Sequence, residues 1–327
     1  MIGALPRNVS LDTIRAAVAR VYPPAIRTPL VRLDPVSTDA PEIWLKLEVL
    51  QPIGSFKIRG AANAVAQLPP GDEPVWTVSA GNAAQGVALA ARNAGRRCRV
   101  LVMDTAPATK LDAIRRLGAD VVLAPYEECW RAVETHANER MSGRFVHPFD
   151  DDDFISGNGT AGLEILEDLP EVDAVVAAVG GGGLLAGVGC VMKALRPDVT
   201  VYAAEPETAA PLDASFKAGA PVTFEAWTSS FVDGAGGRSV LPSMWPLMQA
   251  CVDRSIVVSL DDTAAAMTLT ARRTHVIAEG AGACAVAAAL AEPIRAAGHR
   301  RVVAIVSGGN IDLPRFARLT GACGHET

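Results

Sequence analysis

The chain has 327 residues, too many for one small core and enough for two domains of ordinary size. Half of the residues are hydrophobic and a fifth are charged, which excludes extended disorder. The formal net charge is −6 and Lys and Arg form no run or stripe, so nucleic acid and anionic membrane are not expected as partners.

Ser10 caps an opening helix that carries Leu11, Ile14, Val18 and Val21 on one face. Pro23, Pro24 and Pro29 stop it and lead into an extended segment ending at 44–48. Strands and helices then alternate: strand 75–78, helix 83–93, strand 98–103, helix near 110–117, strand 121–123, a helix from 127 to about 141, and a short strand at 145–146. Four aspartates, Asp150 to Asp153, read as a solvated connector and not a metal cage, having no second ligand cluster nearby. The alternation resumes with helix 161–168, strand 174–179, helix 184–195 and strand 199–204. Residues 220–250, rich in Pro, Gly, Trp and Ser, read as a long irregular excursion of the kind that covers a site. A helix at 281–291 and a strand at 302–306 follow. Short apolar strands separated by amphipathic helices predict an α/β fold of parallel sheets with crossover helices.

Residues 174–192 carry no charge and have the length of a membrane span, but Gly180 to Gly183 interrupt them, so strand, turn and buried helix is the better reading. The six cysteines (98, 129, 190, 251, 284 and 323) are scattered, with no C-x-x-C, which predicts reduced thiols and a cytoplasmic protein. Residues 1–8 lack a signal-peptide pattern.

Four stretches carry chemistry. Lys57 lies in Gly54-Ser55-Phe56-Lys57-Ile58-Arg59-Gly60-Ala61, where Ser55 reads as an N-cap and Ile58, Ala61, Ala62, Val65 and Leu68 give helical spacing. Its ammonium falls in the first helical turn, at the positive end of the macrodipole, which lowers its pKa. Such a lysine is a nucleophile towards an aldehyde and a base towards a carbon acid; the plain alternative is a solvated surface lysine. Gly180-Gly181-Gly182-Gly183-Leu184, between a strand and a helix, lets backbone N–H groups converge on a phosphate. Ser79-Ala80-Gly81-Asn82 opens another helix and suits a carboxylate, or is an ordinary helix cap. Ser307-Gly308-Gly309-Asn310 ends a strand, where open parallel sheets place ligands, or is a plain turn. A rival reading takes Gly181-x-Gly183-x-x-Ala186 as a dinucleotide fingerprint with Glu205 as the ribose-binding acid of a nicotinamide-dependent oxidoreductase. That reading leaves the other three stretches without a role.

In this order and spacing, Gly-Ser-Phe-Lys-x-Arg-Gly-Ala, Ser-Ala-Gly-Asn-x-x-Gln-Gly, the Gly tetrad and Ser-Gly-Gly-Asn resemble the fold-type II pyridoxal-phosphate enzymes, and among them the threonine/serine dehydratases and serine racemase. The resemblance runs from about Thr28 to Leu313, with Lys110, 148–151, 204–207 and 279–282 also matching. It implies two open-twisted, mainly parallel-sheet domains with helices on both faces, of the tryptophan synthase β-like kind. Residues 1–72 and 148–327 would form the large domain, 73–147 the small one, and the assembly would be a homodimer. It implies that Lys57 holds pyridoxal 5'-phosphate, with Phe56, Gly234 and Glu279 beside the ring, Asn82 on the ring hydroxyl and Ser307 at the pyridine nitrogen. Gly180, Gly181, Gly182, Gly183 and Leu184 would hold the phosphate; Ser79, Ala80, Gly81, Asn82 and Ala83 would face the substrate.

The departures refine the expectation. Ala80 replaces the serine that acts on the opposite substrate face in the racemase, which favours elimination over racemisation. Ala83 replaces the usual histidine, leaving room for a substrate bulkier than serine. Of the divalent-cation ligands found in some members, Glu205 and Ala209 match but Pro211 stands in place of the Asp, so no metal is expected. The expected activity is loss of water from a β-hydroxy-α-amino acid such as serine, threonine, phenylserine or 3-hydroxyaspartate, giving a 2-oxo acid and ammonia.

Overall fold

The computed structural model describes residues 7–34 and 41–321. The expectations for residues 1–6 and Cys323 lie outside the described residues. In chain order the elements are α1 (Leu11–Val21), β1 (Leu30–Arg32), β2 (Glu42–Lys46), α2 (Lys57–Ala66), β3 (Val75–Val78), α3 (Asn82–Asn93), β4 (Cys98–Met103), α4 (Ala108–Arg116), β5 (Ala119–Ala124), α5 (Tyr126–Thr135) and β6 (Arg144–Phe145). Then come α6 (Asp152–Asp168), β7 (Ala174–Ala178), α7 (Gly183–Leu195), β8 (Thr200–Pro206), α8 (Pro211–Ala218), α9 (Trp245–Cys251), β9 (Arg254–Val258), α10 (Leu260–Thr274), α11 (Gly280–Leu290), α12 (Glu292–Ala296), β10 (Arg301–Ile305) and α13 (Leu313–Leu319).

Two sheets result. One has the order β1-β2-β10-β7-β8-β9, parallel except for the antiparallel β1–β2 pair; the other, β5-β4-β3-β6, is wholly parallel. The two-residue period of a strand divides each sheet's side chains between two cores. On the larger sheet Val175, Ala177, Val201, Ala203, Val303 and Ile305 pack with α1, α6, α7 and α9, while Ala174, Val176, Tyr202, Ala204, Val302 and Ala304 pack with α10 and α11. On the smaller, Val75, Val100 and Val102 pack with α2, α3 and α4, and Trp76, Val78 and Leu101 with α5. No helix among the described residues is long and apolar enough to cross a membrane, and the uncharged 174–192 stretch is β7, a glycine turn and α7.

Several expectations are corrected. The aspartate run is not a solvated connector: α6 begins at Asp152, nine residues before the helix read from sequence, and Asp151 caps it by accepting from the Phe154 N–H at 2.7 Å. Asp150 and Asp152 pair with Arg7. The helix hides in the sequence because Ser156-Gly157-Asn158-Gly159-Thr160 looks like a loop. Those small residues are contact points: a Cβ on Gly157 would lie 2.4 Å from the Arg59 carbonyl oxygen of α2, and one on Gly159 2.7 Å from Ile14 of α1. Tertiary packing overrides poor propensity here. Helix α5 stops at Thr135 instead of about Met141, because His136 turns left-handed (φ 57°) and the Asn138 side chain closes a turn onto the Arg140 N–H. The excursion at 220–250 contains α9, and β9, α10, α12 and α13 have no counterpart in the sequence-based reading.

Candidate active site

Lys57 is the first residue of α2, as its spacing predicts, but Ser55 does not cap the helix. Ser55 forms an isolated antiparallel bridge with Gly308, and its buried hydroxyl has no partner. Neighbouring backbone bonds knit the two loops together: Phe56 N–H to Ser307 O at 3.0 Å and Gly309 N–H to Gly54 O at 2.9 Å. The lysine motif is thus anchored to the loop that leaves the carboxyl end of β10, the end at which open parallel sheets bind ligands.

The Lys57 amine donates to the Pro148 carbonyl at 2.6 Å and lies 5.1 Å from the Phe56 ring centroid and 5.3 Å from that of Phe154. Burial lowers its pKa to about 8. The lowered pKa was expected from the helix dipole; the cause is loss of water around the charged form.

The glycine tetrad turns β7 into α7, with Gly182 at φ 86°, a left-handed conformation that a side chain resists. A Cβ on Gly181 would lie 2.1 Å from the Phe149 ring, one on Gly183 2.7 Å from the Phe149 carbonyl oxygen, and one on Gly180 2.8 Å from the Gly234 carbonyl oxygen. Buried Leu184 follows in the first turn of α7, whose N–H groups have no helical acceptor and are available to an anion.

Ser79, Ala80 and Gly81 link β3 to α3; the Ser79 hydroxyl accepts from the Gly81 N–H at 3.1 Å, and the space where a Gly81 side chain would stand is open. Asn82 and buried Ala83 start α3. Asn82 donates to Glu279 Oε1 and accepts from Asn310 Nδ2, both at 2.7 Å, and Asn310 also donates to the Ile53 carbonyl. Glu279, at the start of α11, receives its pKa of about 7 mainly from burial, with Asp233 adding like-charge repulsion. Gly234 and Gly308 lie beside its carboxylate. Ser307 is buried at the end of β10. Contacts thus connect the lysine motif, the glycine tetrad, Gly234, the Asn82 loop, Glu279 and the loop after β10, whereas Glu205 lies apart from them.

His147, which the sequence reading missed, joins this site, as do Phe149 and Lys110 from the matching blocks. His147 Nδ1 accepts from the Phe149 and Asp150 N–H groups, and burial drives its pKa down to about 3, so the imidazole stays neutral. Phe149 covers Gly181. Lys110 of α4 pairs with Asp233 at 2.7 Å. The signal that would have found His147 is its place just after β6, at a strand's carboxyl end.

Neither acid-rich candidate for a metal fits one. His136, His147 and Asp150 lie close together, but His147 Nδ1 is occupied and the Asp150 oxygens bind Arg7 and Ser243. Glu205 is fully buried and accepts from the Leu212 and Asp213 N–H groups at 2.8 Å and the Ser255 hydroxyl at 2.6 Å. That carboxylate caps α8, and for the same reason it does not reach for a ribose. A surface cavity of about 350 Å³ beside α13, bordered by Ser230, Arg315 and Arg318, is separate from the cleft and holds no buried titratable group.

The model of the family described as pyridoxal-phosphate dependent enzyme matches residues 21–308. The chain belongs to that family. It is 37% identical over 316 residues to the L-threonine ammonia-lyase of Thermotoga maritima, covering 95% of this chain and 78% of that protein. It is 36% identical to the catabolic L-threonine dehydratase of Escherichia coli K12, covering 96% of each. The structure of maize serine racemase superimposes with a TM-score of 0.87 at 32% identity, covering 97% of this chain and 98% of that one. The fold is that of the fold-type II enzymes, and the cofactor is pyridoxal 5'-phosphate, which displaces the dinucleotide reading. The residues present fit this cofactor. A partly buried lysine of lowered pKa suits its aldehyde, free N–H groups at the start of α7 behind a side-chain-free glycine turn suit its phosphate, and Asn82, Glu279 and Ser307 offer polar groups for its ring.

Proposed function

We propose that this lyase removes water from a β-hydroxy-α-amino acid to give a 2-oxo acid and ammonia. The observation that carries the reading is Lys57, an amine whose pKa burial lowers to about 8, in a chain that has alanine at position 80. Lys57 holds the cofactor, Gly180–Gly183 and the Leu184 N–H hold its phosphate, and Phe56, Asn82, Gly234, Glu279 and Ser307 surround its ring. Ser79, Gly81 and Asn82 receive the substrate carboxylate, next to Ala80 and Ala83. When bound, pyridoxal phosphate supplies an electron sink that acidifies the substrate Cα–H. Lys57 Nζ, neutral near pH 8, takes that proton. Ala80 has no proton to return on the opposite face, so the electron pair of the Cα–H bond becomes the Cα=Cβ bond as the Cβ–O bond breaks. The departing hydroxyl takes the proton carried by Lys57 Nζ and leaves as water. Water is added back when the released enamine hydrolyses to the 2-oxo acid and ammonia. A neutral Ser307 hydroxyl does not keep a pyridine nitrogen protonated as a carboxylate would. The resulting weaker sink suits immediate expulsion of a leaving group better than a long-lived carbanion.

The residue sets 1–72 with 148–327, and 73–147, act as two lobes around this cleft. A cytoplasmic location and a homodimer complete the proposal, the dimer resting on family likeness and the location on the scattered free cysteines. The test is a 2-oxo acid assay over β-hydroxy amino acids of increasing size, with chiral chromatography of the remaining substrate. Oxo acid with little inverted amino acid supports the reading; substantial racemisation without oxo acid overturns it.

A further inference from the structure

We infer that Phe149 forms an apolar wall beside the reacting carbons and directs the enzyme to β-hydroxy amino acids with a large, uncharged side chain. The inference rests on the dehydratase reading and extends it to the class of substrate.

Three contacts fix the ring. Its backbone is held by His147, whose Nδ1 accepts the Phe149 N–H at 3.2 Å and the Asp150 N–H at 2.7 Å. The preceding carbonyl, Pro148 O, lies 2.6 Å from Lys57 Nζ. The ring itself covers Gly181 so closely that a Cβ there would lie 2.1 to 2.5 Å from three of its carbons, and its side meets the His147 ring edge-on at 4.6 Å. Phe149 thus lies between the glycine turn and the residue that holds the lysine, and it remains partly exposed. The Pro148 carbonyl touches the amine that takes the Cα proton, so the residue that follows it, Phe149, starts beside the carbons that this amine deprotonates.

The chemistry of that neighbourhood is apolar. Phe149 offers no hydrogen bond, and Ala80 and Ala83 offer only methyl groups. The open space above Gly81 gives room. Charge disfavours an acidic side chain: Asp233 and Glu279 feel one another, and the nearby cation Lys110 is already committed to Asp233 at 2.7 Å. A further carboxylate placed there would meet like charge. An apolar or aromatic substituent gains by leaving water against the ring, whereas serine leaves that wall uncovered.

The test compares the native holoenzyme with Phe149→Asn and Phe149→Leu, using serine, phenylserine and 3-hydroxyaspartate. Cofactor absorbance and thermal unfolding are followed in parallel. In Phe149→Asn the phenylserine-to-serine ratio of kcat/KM falls about tenfold or more, chiefly through KM, whereas Phe149→Leu, which keeps an apolar wall, moves it much less. An unchanged ratio in a cofactor-loaded Phe149→Asn, or equal loss on both substrates, overturns the inference in favour of simple packing. A second readout does not depend on turnover: the cofactor band is titrated with phenylalanine and with alanine, which carry no β-hydroxyl. Phe149→Asn weakens phenylalanine about tenfold and leaves alanine unchanged; equal effects on both overturn the inference. If the native enzyme turns over none of the three hydroxy acids, the dehydratase reading fails, and the phenylalanine titration still decides the role of Phe149.

Discussion

Lys57 owes its reactivity to where its amine ends, not only to where its backbone begins. With a pKa near 8, the amine of the cofactor-free protein is largely neutral above that pH. The rate at which apoprotein recaptures pyridoxal phosphate therefore rises with pH to a plateau with its midpoint near 8. A midpoint near the ordinary lysine value would show that the amine is solvated. Lys57→Ala loses turnover by several orders of magnitude, as removal of a covalent-catalysis residue does, and borohydride no longer fixes cofactor to the peptide. The two buried acids act in the opposite direction. Glu205 and Glu279 have pKa values raised to about 7 from 4.5, each chiefly by burial. Between those values the folded chain holds protons that the unfolded chain has released, so stability falls as pH rises from about 4.5 through 7. Each group contributes at most about 1.4 kcal/mol per pH unit. Thermal unfolding of Glu205→Gln and Glu279→Gln across this range checks the sign: each variant flattens the slope, and a native slope that is already flat excludes it.

At the scale of elements, α2, α6 and α7 form the support on which the site stands. Arg59, two residues after Lys57, is wholly buried and pairs with Glu48 at 2.8 Å and Glu164 at 2.7 Å, while Lys46 bonds Glu164 at 2.6 Å. Replacing Arg59 by Met leaves buried Glu48 without its cation and Glu164 with Lys46 alone, and costs about 3–5 kcal/mol, read as a lower urea midpoint. Gly157→Ala drives a methyl into the Arg59 carbonyl and costs about 1–3 kcal/mol, with α2 and Lys57 displaced. An unaltered midpoint in Gly157→Ala would mean that the helices separate freely. In the tetrad, Gly182→Asp places a charge at a left-handed position beside the proposed phosphate site. The folded variant should lose its cofactor absorbance while keeping its far-UV dichroism.

Across the whole molecule, the excursion at 220–250 contacts helices that pack on the smaller sheet. It folds on itself through a Thr223–Ser239 bridge and carries Asp233, which binds Lys110 of α4. It also carries Arg238, whose guanidinium lies 4.0 Å from the Trp227 ring centroid and 5.5 Å from that of Tyr126 in α5. Both contacts join the large-sheet side to helices of the smaller sheet. The Lys110–Asp233 pair is partly exposed, so Lys110→Ala changes overall stability by no more than about 1 kcal/mol. Its effect is on closure: KM rises with little change in Tm, and added salt reproduces part of the effect in the native enzyme. A Tm loss as large as that of Arg59→Met would make the pair structural.

The sequence by itself determined the alternation of strands and helices, the parallel sheets, the family and the lysine that opens α2. Each of these is written in local pattern: apolar runs of strand length, helical spacing after Lys57, and glycines where backbone must approach an anion. Only the tertiary structure showed that Asp151 begins α6, that Ser55 bridges to Gly308 instead of capping α2, and that Phe149 covers Gly181. The same holds for the burial that lowers the Lys57 pKa and for Glu205 serving as a helix cap. These depend on groups far apart in the chain meeting at a few ångströms. A small residue reads as a loop until the neighbour that needs its smallness is in place, and a charge reads as solvated until the water around it is gone.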